Sequence, residues 1–405
     1  MSKVKLGDIA EIQAGPFGTQ LHKDEYVEDG IAMLNAKNIG NGVILTDSMD
    51  YVSDAVCDRL PRYVLNKGDI LFGRAGSIER HTYITDEFSG CFQGTNCIRI
   101  RCKSPKIALY VSYYLWLPEL KRVIENKTGG SVLSYITTDL LKNIEINLPD
   151  EKSLNLIAGM LFSLDKKVEL NKRINDNLQQ QLKLMYDYWF VQFDFPDANG
   201  TPYHSSGGTM VWNAELQREI PKGWECRSLG DLLIKNSVTF DYQTTEPTID
   251  LSVMPSSSIA LNQLNQSDLF ATNLFKMLEG DILFGSIRPY LKKAGIAPCD
   301  GVVAGTIHSY HVKTDTDYNF VLFTLCRDSF FDYATKVSTG TKMPVVSNES
   351  ILSYKVAYSH DAAKQFNRID VQNIICKNVQ ESRKLAALRD WLLPMLMNGQ
   401  AIIYD

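Results

Sequence analysis

Between Leu154 and Trp189, apolar or amide residues recur at Leu154, Ile157, Leu161, Leu164, Val168, Asn171, Asn175, Leu178, Leu182, Met185 and Trp189. The steps alternate three and four, the period of a helix that lays one narrow seam against a partner helix. Gly159 alone interrupts the run. At 1.5 Å per residue it makes a rod of about 50 Å, longer than an ordinary core helix. The plainer alternative is a long helix inside one large domain. A second run starts near Asp361, with Val371, Ile375, Asn378, Ser382 and Leu385, then shifts to Leu388, Leu392 and Met395, where Pro394 predicts a kink or an end. Each seam carries two neighbouring polar positions, Asn171 with Asn175 and Asn378 with Ser382. Buried polar residues in a seam cost stability but select register and partner. The pattern therefore pairs the two helices with each other, antiparallel, as a coiled coil.

The segments between the helices switch period. Cys97-Ile98-Arg99-Ile100-Arg101-Cys102 alternates as a half-buried strand does, and Asn66-Lys67-Gly68-Asp69 is a turn feeding the buried strand Ile70-Leu71-Phe72-Gly73. Gly15-Pro16-Phe17-Gly18 and Asn38-Ile39-Gly40-Asn41-Gly42 read as turns. Ile107–Ile124 has helical spacing and ends in a Thr128-Gly129-Gly130-Ser131 break. Residues 196–222 hold turn formers and little apolar periodicity, which predicts a connector lying over a surface.

Then the first segment begins again. Leu6-Gly7-Asp8 recurs as Leu229-Gly230-Asp231, Gly68-Asp69-Ile70-Leu71-Phe72-Gly73 as Gly280-Asp281-Ile282-Leu283-Phe284-Gly285, Gly94-Thr95 as Gly305-Thr306, and Thr128-Gly129 as Thr339-Gly340. Ordered matches with a drifting offset mark a duplication. The expected class is α+β: two similar mixed α/β globules separated by two long helices, related by a pseudo-two-fold axis. The expected boundaries are 1–150 for the first globule, 151–195 for the central helix, 196–222 for the connector, 223–360 for the second globule and 361–405 for the C-terminal helix.

Composition changes this picture little. The 405 residues are 44% hydrophobic and 22% charged, an ordinary globular balance. No apolar run reaches the roughly 18 residues of a membrane span, no signal peptide is evident, and the eight cysteines form no disulfide pattern, so the cytoplasm is expected. The net charge of −5, with −4 of it over 196–360, does not advertise a nucleic-acid binder; counterion release needs only a local basic surface.

Catalytic motifs are missing from the sequence: no phosphate loop, dinucleotide fingerprint, zinc helix or nucleophile elbow appears. His308 and His311 sit on a strand pattern that sends them to opposite faces, so they read as structural histidines. What remains is recognition. The turn after the first Gly-Asp-Ile-Leu-Phe-Gly strand holds Arg74, Ser77, Arg80 and His81; the second holds Ser286, Arg288, Tyr290, Lys292 and Lys293. Arginine pairs bidentately with guanine, while Ser, Lys and Tyr suit phosphates. Lys37 and Asn38, and Ser131 and Lys342 in the Gly-rich loops, complete the candidate DNA-contacting set. No metal ligands are expected.

Several stretches resemble type I restriction–modification specificity subunits. They are Leu6-Gly7-Asp8 with Gly15-Pro16-Phe17-Gly18, the twin Gly-Asp-Ile-Leu-Phe-Gly strands, and Trp189-Phe190-Val191-Gln192-Phe193-Asp194-Phe195. The connector from Tyr203 through Trp224 and Leu388-Arg389-Asp390-Trp391-Leu392-Leu393-Pro394 are also similar to that family. The resemblance implies a non-catalytic subunit with two target recognition domains, each reading half of a split, asymmetric site on double-stranded DNA. It implies that the paired helices set the unread spacer and dock two methyltransferase subunits, with restriction/translocase subunits joining for cleavage. S-adenosylmethionine, ATP and Mg would belong to those partners, the whole being a DNA adenine methyltransferase and site-specific deoxyribonuclease. Two other readings stand beside it: a coiled-coil scaffold whose globules bind proteins or peptides, and an enzyme with a cryptic site in each globule.

Overall fold

The computed structural model describes residues 2–74, 80–128, 135–270, 273–401 and 403. The chain divides into two compact units, 1–165 with 387–405, and 166–386.

In the first unit the core strand Asp69–Gly73 lies in a four-stranded sheet between Cys97–Cys102 and His81–Tyr83, with Ala10–Ala14 beyond Cys97–Cys102. Asn66-Lys67-Gly68-Asp69 closes a turn by Asp69 N–H to the Asn66 carbonyl, 3.0 Å, and Gly68 takes φ +94 there, a conformation costly for any other residue. Asp69 is buried, accepts the Asn66 N–H at 2.8 Å and holds Arg101 bidentately at 2.6–2.7 Å. Cys97–Cys102 alternates in residue type but is buried on both faces through Ile100. Arg99, 1% exposed, is covered and hydrogen-bonded to Glu11, Gln13 and the Arg62 carbonyl. A second four-stranded sheet (Tyr26–Val27, Asp50–Val52, Ile31–Leu34, Phe92–Gln93) carries one parallel pair. The helical stretch expected over 107–124 is two helices, Pro105–Tyr114 and Pro118–Thr128, because Pro118 has no N–H to continue the first.

The second unit repeats this topology with Ile282–Gly285 between Ile307–Val312 and Ala294–Ile296, and Leu233–Asn236 outermost. Gly280 at φ +87 and buried Asp281 occupy the places of Gly68 and Asp69; Asp281 accepts from Leu278 N–H at 3.0 Å and Ser309 Oγ at 2.7 Å. Each unit also pairs its opening strand with a later one, Ser2–Lys5 with Glu145–Leu148 and Glu225–Ser228 with Lys355–Tyr358. A hydroxyl-capped helix precedes each closing strand, with Thr137 capping Thr138–Lys142 and Ser347 capping Asn348–Leu352. Residues 196–222 are not a bare connector. Asp194 holds Ser205 through its N–H at 2.7 Å, and Met210–Asn213 pairs with Arg218–Pro221 as a hairpin.

The central helix runs Glu151–Tyr186 and widens into a π-turn over Asp187–Val191. In the first unit Leu154, Ile157 and Leu161 share a core with Leu393, Leu396 and Met397, and Asp165 receives Arg389 Nη1 at 2.5 Å and Tyr113 Oη at 2.6 Å. In the second unit Leu182 and Tyr186 join Val371, Ile375 and Val379 in one core. There Asn171 Nδ2 donates to Glu381 Oε2 at 2.8 Å and Ser382 Oγ at 3.2 Å, and Asn378 Nδ2 donates to Asn175 Oδ1 at 2.8 Å. Moving forward on one helix moves back on the other, so they run antiparallel there. The Trp189–Phe195 motif closes the helix against aromatics: Phe190 meets Phe320 and Phe366 edge-on, and Phe193 meets Trp224.

The second helix is not continuous from Asp361. It breaks into His360–Phe366 and Val371–Met397, because the buried Asn319 amide takes the Phe366 and Ile369 carbonyls at 3.2 and 2.8 Å. Pro394 does not end the helix, which runs on to Met397.

A pair of glycines in one turn checks this packing. Gly15 N–H bonds the Cys97 carbonyl, and a Cβ at Gly15 would lie 2.1 Å from the Gly94 carbonyl oxygen, whereas one at Gly18 meets nothing. G15A is expected to destabilise by about 2 kcal/mol or more and G18A by less than about 0.5 kcal/mol, read from urea midpoints.

Candidate nucleic-acid interface

The core strand of each unit delivers its next residue to the same place. Arg74 N–H bonds the Asn96 carbonyl at 2.8 Å and its carbonyl receives Ile136 N–H at 3.1 Å; Ser286 N–H bonds the Thr306 carbonyl at 2.9 Å and its carbonyl receives Val346 N–H at 3.0 Å. Arg74 is therefore the counterpart of Ser286, not of Arg288. Residues aligned with the second turn fall at 75–79, and the expectations for Ser77 and Ser131 lie outside the described residues.

In the second unit the turn is well defined. Arg288 adopts φ 51 and Lys292 φ 53, both left-handed, around the short helix Pro289–Leu291. The Gly-rich loop returns beside it: Thr339 bridges Val345, Ile287 bridges Val345, and Arg288 N–H bonds the Pro344 carbonyl at 2.8 Å. Gly340 supplies the positive φ that this loop requires. Two separate candidates, Arg288 and Lys342, are thereby brought onto neighbouring loops, both exposed, with Tyr290 51% exposed beside them. These side chains carry no polar partner among the described residues.

Other candidates have internal employment. Ser286 is 3% exposed and donates its hydroxyl to the Thr306 carbonyl at 2.8 Å. Lys292 pairs with Asp328 at 2.6 Å, and Lys293 donates to the Leu251 carbonyl. Asn38 is buried; its Nδ2 donates to the Leu45 and Ser48 carbonyls and its Oδ1 accepts from Asn35 N–H, so it staples a turn. His81 is fully buried because strand pairing sets it opposite Phe72, with Trp116 stacked on its other face at 4.1 Å. Asn38, His81, Ser286 and Lys293 hold the loops rather than offer themselves to a ligand, which corrects the expectation for them, and Lys292 is engaged by Asp328.

The first unit also has an open groove lined by His22, Lys23, Asn35, Lys37, Asp50 and Asn96. Lys37 and Asn35 both engage Asp50, at 2.9 and 2.7 Å. Arg74 is half-buried, its guanidinium 5.7 Å over the exposed Phe17 ring and its Nε buried without a hydrogen-bond partner among the described residues. Arg80 is half-buried and engaged. Lys23 and Asn96 were not predictable: nothing in the local pattern marks residues that meet only after both sheets form.

His308 is half-buried with its pKa pushed down to about 4 by desolvation, and His311 is exposed on the opposite face, 3.3 Å from Asp281. Among the described residues no cluster of His, Cys, Asp and Glu is arranged to hold a metal, and no helix is long and apolar enough to cross a membrane.

Desolvation pushes His81 down to about 3 from its ordinary 6.5. Because the folded value lies below the unfolded one, this site's stability is fully present above pH 6.5 and is lost as pH falls toward 3. Between pH 7.5 and 5.5 it accounts for about 1.4 kcal/mol of destabilisation. H81F is expected to remove that increment from the pH dependence of the urea midpoint.

Residues 1–180 match the type I restriction modification DNA specificity domain. The chain is 22% identical over 417 aligned residues to the type I restriction enzyme MjaIX specificity subunit of Methanocaldococcus jannaschii, covering 98% of this chain and 92% of that one. It is 26% identical to the HindI specificity subunit of Haemophilus influenzae, over 46% of this chain and 40% of that protein. A solved type I restriction–modification S subunit from M. genitalium shares the fold at a TM-score of 0.59 and 15% identity, covering 98% of this chain and 95% of that one. By family model over its first 180 residues and by similarity along nearly its whole length, the chain is similar to the type I restriction–modification specificity subunits.

Proposed function

We propose that each unit reads one half of a bipartite, asymmetric site on double-stranded DNA, and that the paired long helices hold the readers at a set distance. The observation that carries this is the repeat of one sheet topology with different side chains at the loop tips: two copies of a scaffold presenting two chemistries. In the second unit Arg288, Tyr290 and Lys342 are the readers, Arg288 suited to a guanine edge and Lys342 to phosphate. In the first, Lys23, Lys37 and Asn96 of the groove and Arg74 with Phe17 are the candidate readers. The rod of about 50 Å suits two readers roughly one DNA turn, 34–36 Å, apart.

Asn171 and Asn175 opposite Asn378 and Ser382 are the register markers. A slip of one turn would leave buried amides against apolar side chains, at a cost of about 1–3 kcal/mol each. The central helix also leaves Leu170, Ile174 and Leu184 exposed off the seam, which supports docking of two methyltransferase subunits. Restriction/translocase subunits complete the complex, in which S-adenosylmethionine, ATP and Mg sit on the partners and this chain is the non-catalytic, cytoplasmic reader. The scaffold reading, in which the globules bind proteins or peptides, is not favoured by these relatives.

Removing about seven residues, two turns, from each long helix tests the ruler. In the complex with methyltransferase subunits, the methylated motif is expected to keep both half-sites and lose spacer length. An unchanged spacer would refute it.

A further inference from the structure

Three non-glycine residues of the second unit meet in the left-handed region of backbone space: Ser257 at φ 57, Arg288 at φ 51 and Lys292 at φ 53. L side chains adopt this region at a cost and hold it only where the surroundings over-determine it. Here the surroundings come from the central helix. Gln179 Nε2 donates to the Ser257 carbonyl at 2.8 Å, and Gln179 Oε1 accepts Ile259 N–H at 3.0 Å, so one side chain grips both ends of the 257–259 turn. Ser257 N–H in turn donates to the Lys292 carbonyl at 2.8 Å. One helical turn further, Lys183 meets Asp328 Oδ2 at 3.2 Å, and the other oxygen of the same carboxylate holds Lys292 Nζ at 2.6 Å. Lys292 ends the turn that presents Arg288 and Tyr290, so two residues four apart on one helix face hold that turn by independent routes.

We infer that Gln179 and Lys183 are positioning residues for DNA reading: through Ser257 and through Asp328 they set the pose of the Arg288–Lys292 turn, so the central helix orients the second reader as well as spacing it. This rests on the reading above, in which that turn contacts DNA. A bidentate arginine contact tolerates little displacement, so loosening the turn degrades discrimination before it degrades folding. Asp328 fits the role physically, its carboxyl held below the usual carboxylate range first by the hydrogen bond from Lys292 and also by Lys183. Neither Gln179 nor Lys183 belongs to the apolar seam, and a pure spacer would need neither.

The test uses the full chain assembled with methyltransferase subunits and scores methylation of the cognate site against single-base substitutions in each half-site. R288A is the control for the reading, and is expected to relax one half-site by about tenfold. Q179A/K183A is expected to relax the same half-site by roughly fivefold, leave the other half-site and the spacer unchanged, and be restored partly by K183R alone. If R288A relaxes its half-site but Q179A/K183A does not, the positioning role is overturned while the reading stands. Equal weakening on all sequences, together with a lowered melting temperature, would reduce Gln179 and Lys183 to packing and overturn it too. If R288A and Y290A alter neither half-site, the reading itself fails, and the inference with it.

Discussion

A buried carboxylate sits at the start of the core strand in each unit. Asp69 and Asp281 are each about 1% exposed, yet both are supplied with donors: the N–H three residues back closes the Gly turn, and a side chain from the adjacent strand reaches in. An unsupplied carboxylate at that depth would cost several kcal/mol, so the turn, strand register and adjacent strand are specified together. The donors differ, Arg101 in one unit and Ser309 with His311 in the other, while the geometry is kept. Arg74 and Ser286, the residues that follow the two strands, take their positions from that arrangement.

The two units then diverge through what the first residue after the strand does. Ser286 is small enough to bury and bond a carbonyl, which lets the chain turn left-handed at Arg288 and expose it. Arg74 at the equivalent place is too long to bury entirely and leans its guanidinium over Phe17. One scaffold thus yields a loop-tip arginine in one unit and an aromatic–guanidinium pair beside a groove in the other. Shared backbone bonds thus carry different side chains in the two units.

The long helices combine the two kinds of interaction that packing requires. Apolar seam residues supply the burial, at roughly 1.5–3 kcal/mol for each fully covered side chain, but burial alone is indifferent to register. The amides at Asn171, Asn175 and Asn378 are directional, and their bonds exist in one alignment. Away from the seam, Gln179 and Lys183 extend the same helix into the loops of the second unit.

Patterns that depend on period or on backbone chemistry were legible in the sequence: the heptad seam, its amide positions, the Gly-Asp turns and the duplication each follow from spacing or from glycine's freedom at positive φ. Legibility failed where a side chain arrives from far along the chain. Asn319 breaks the second helix by taking its carbonyls, Trp116 and Phe72 enclose His81, and Asp194 folds the connector through Ser205. The exposed candidates show the same division. A list of Arg, Lys, Ser and His in loops says what chemistry is present, but only packing separates Arg288, Tyr290 and Lys342, which face solvent, from Asn38, His81 and Ser286, which hold the loops. Local periodicity is a property of neighbours in sequence; exposure and partnership belong to neighbours in space, and those the tertiary structure alone decided.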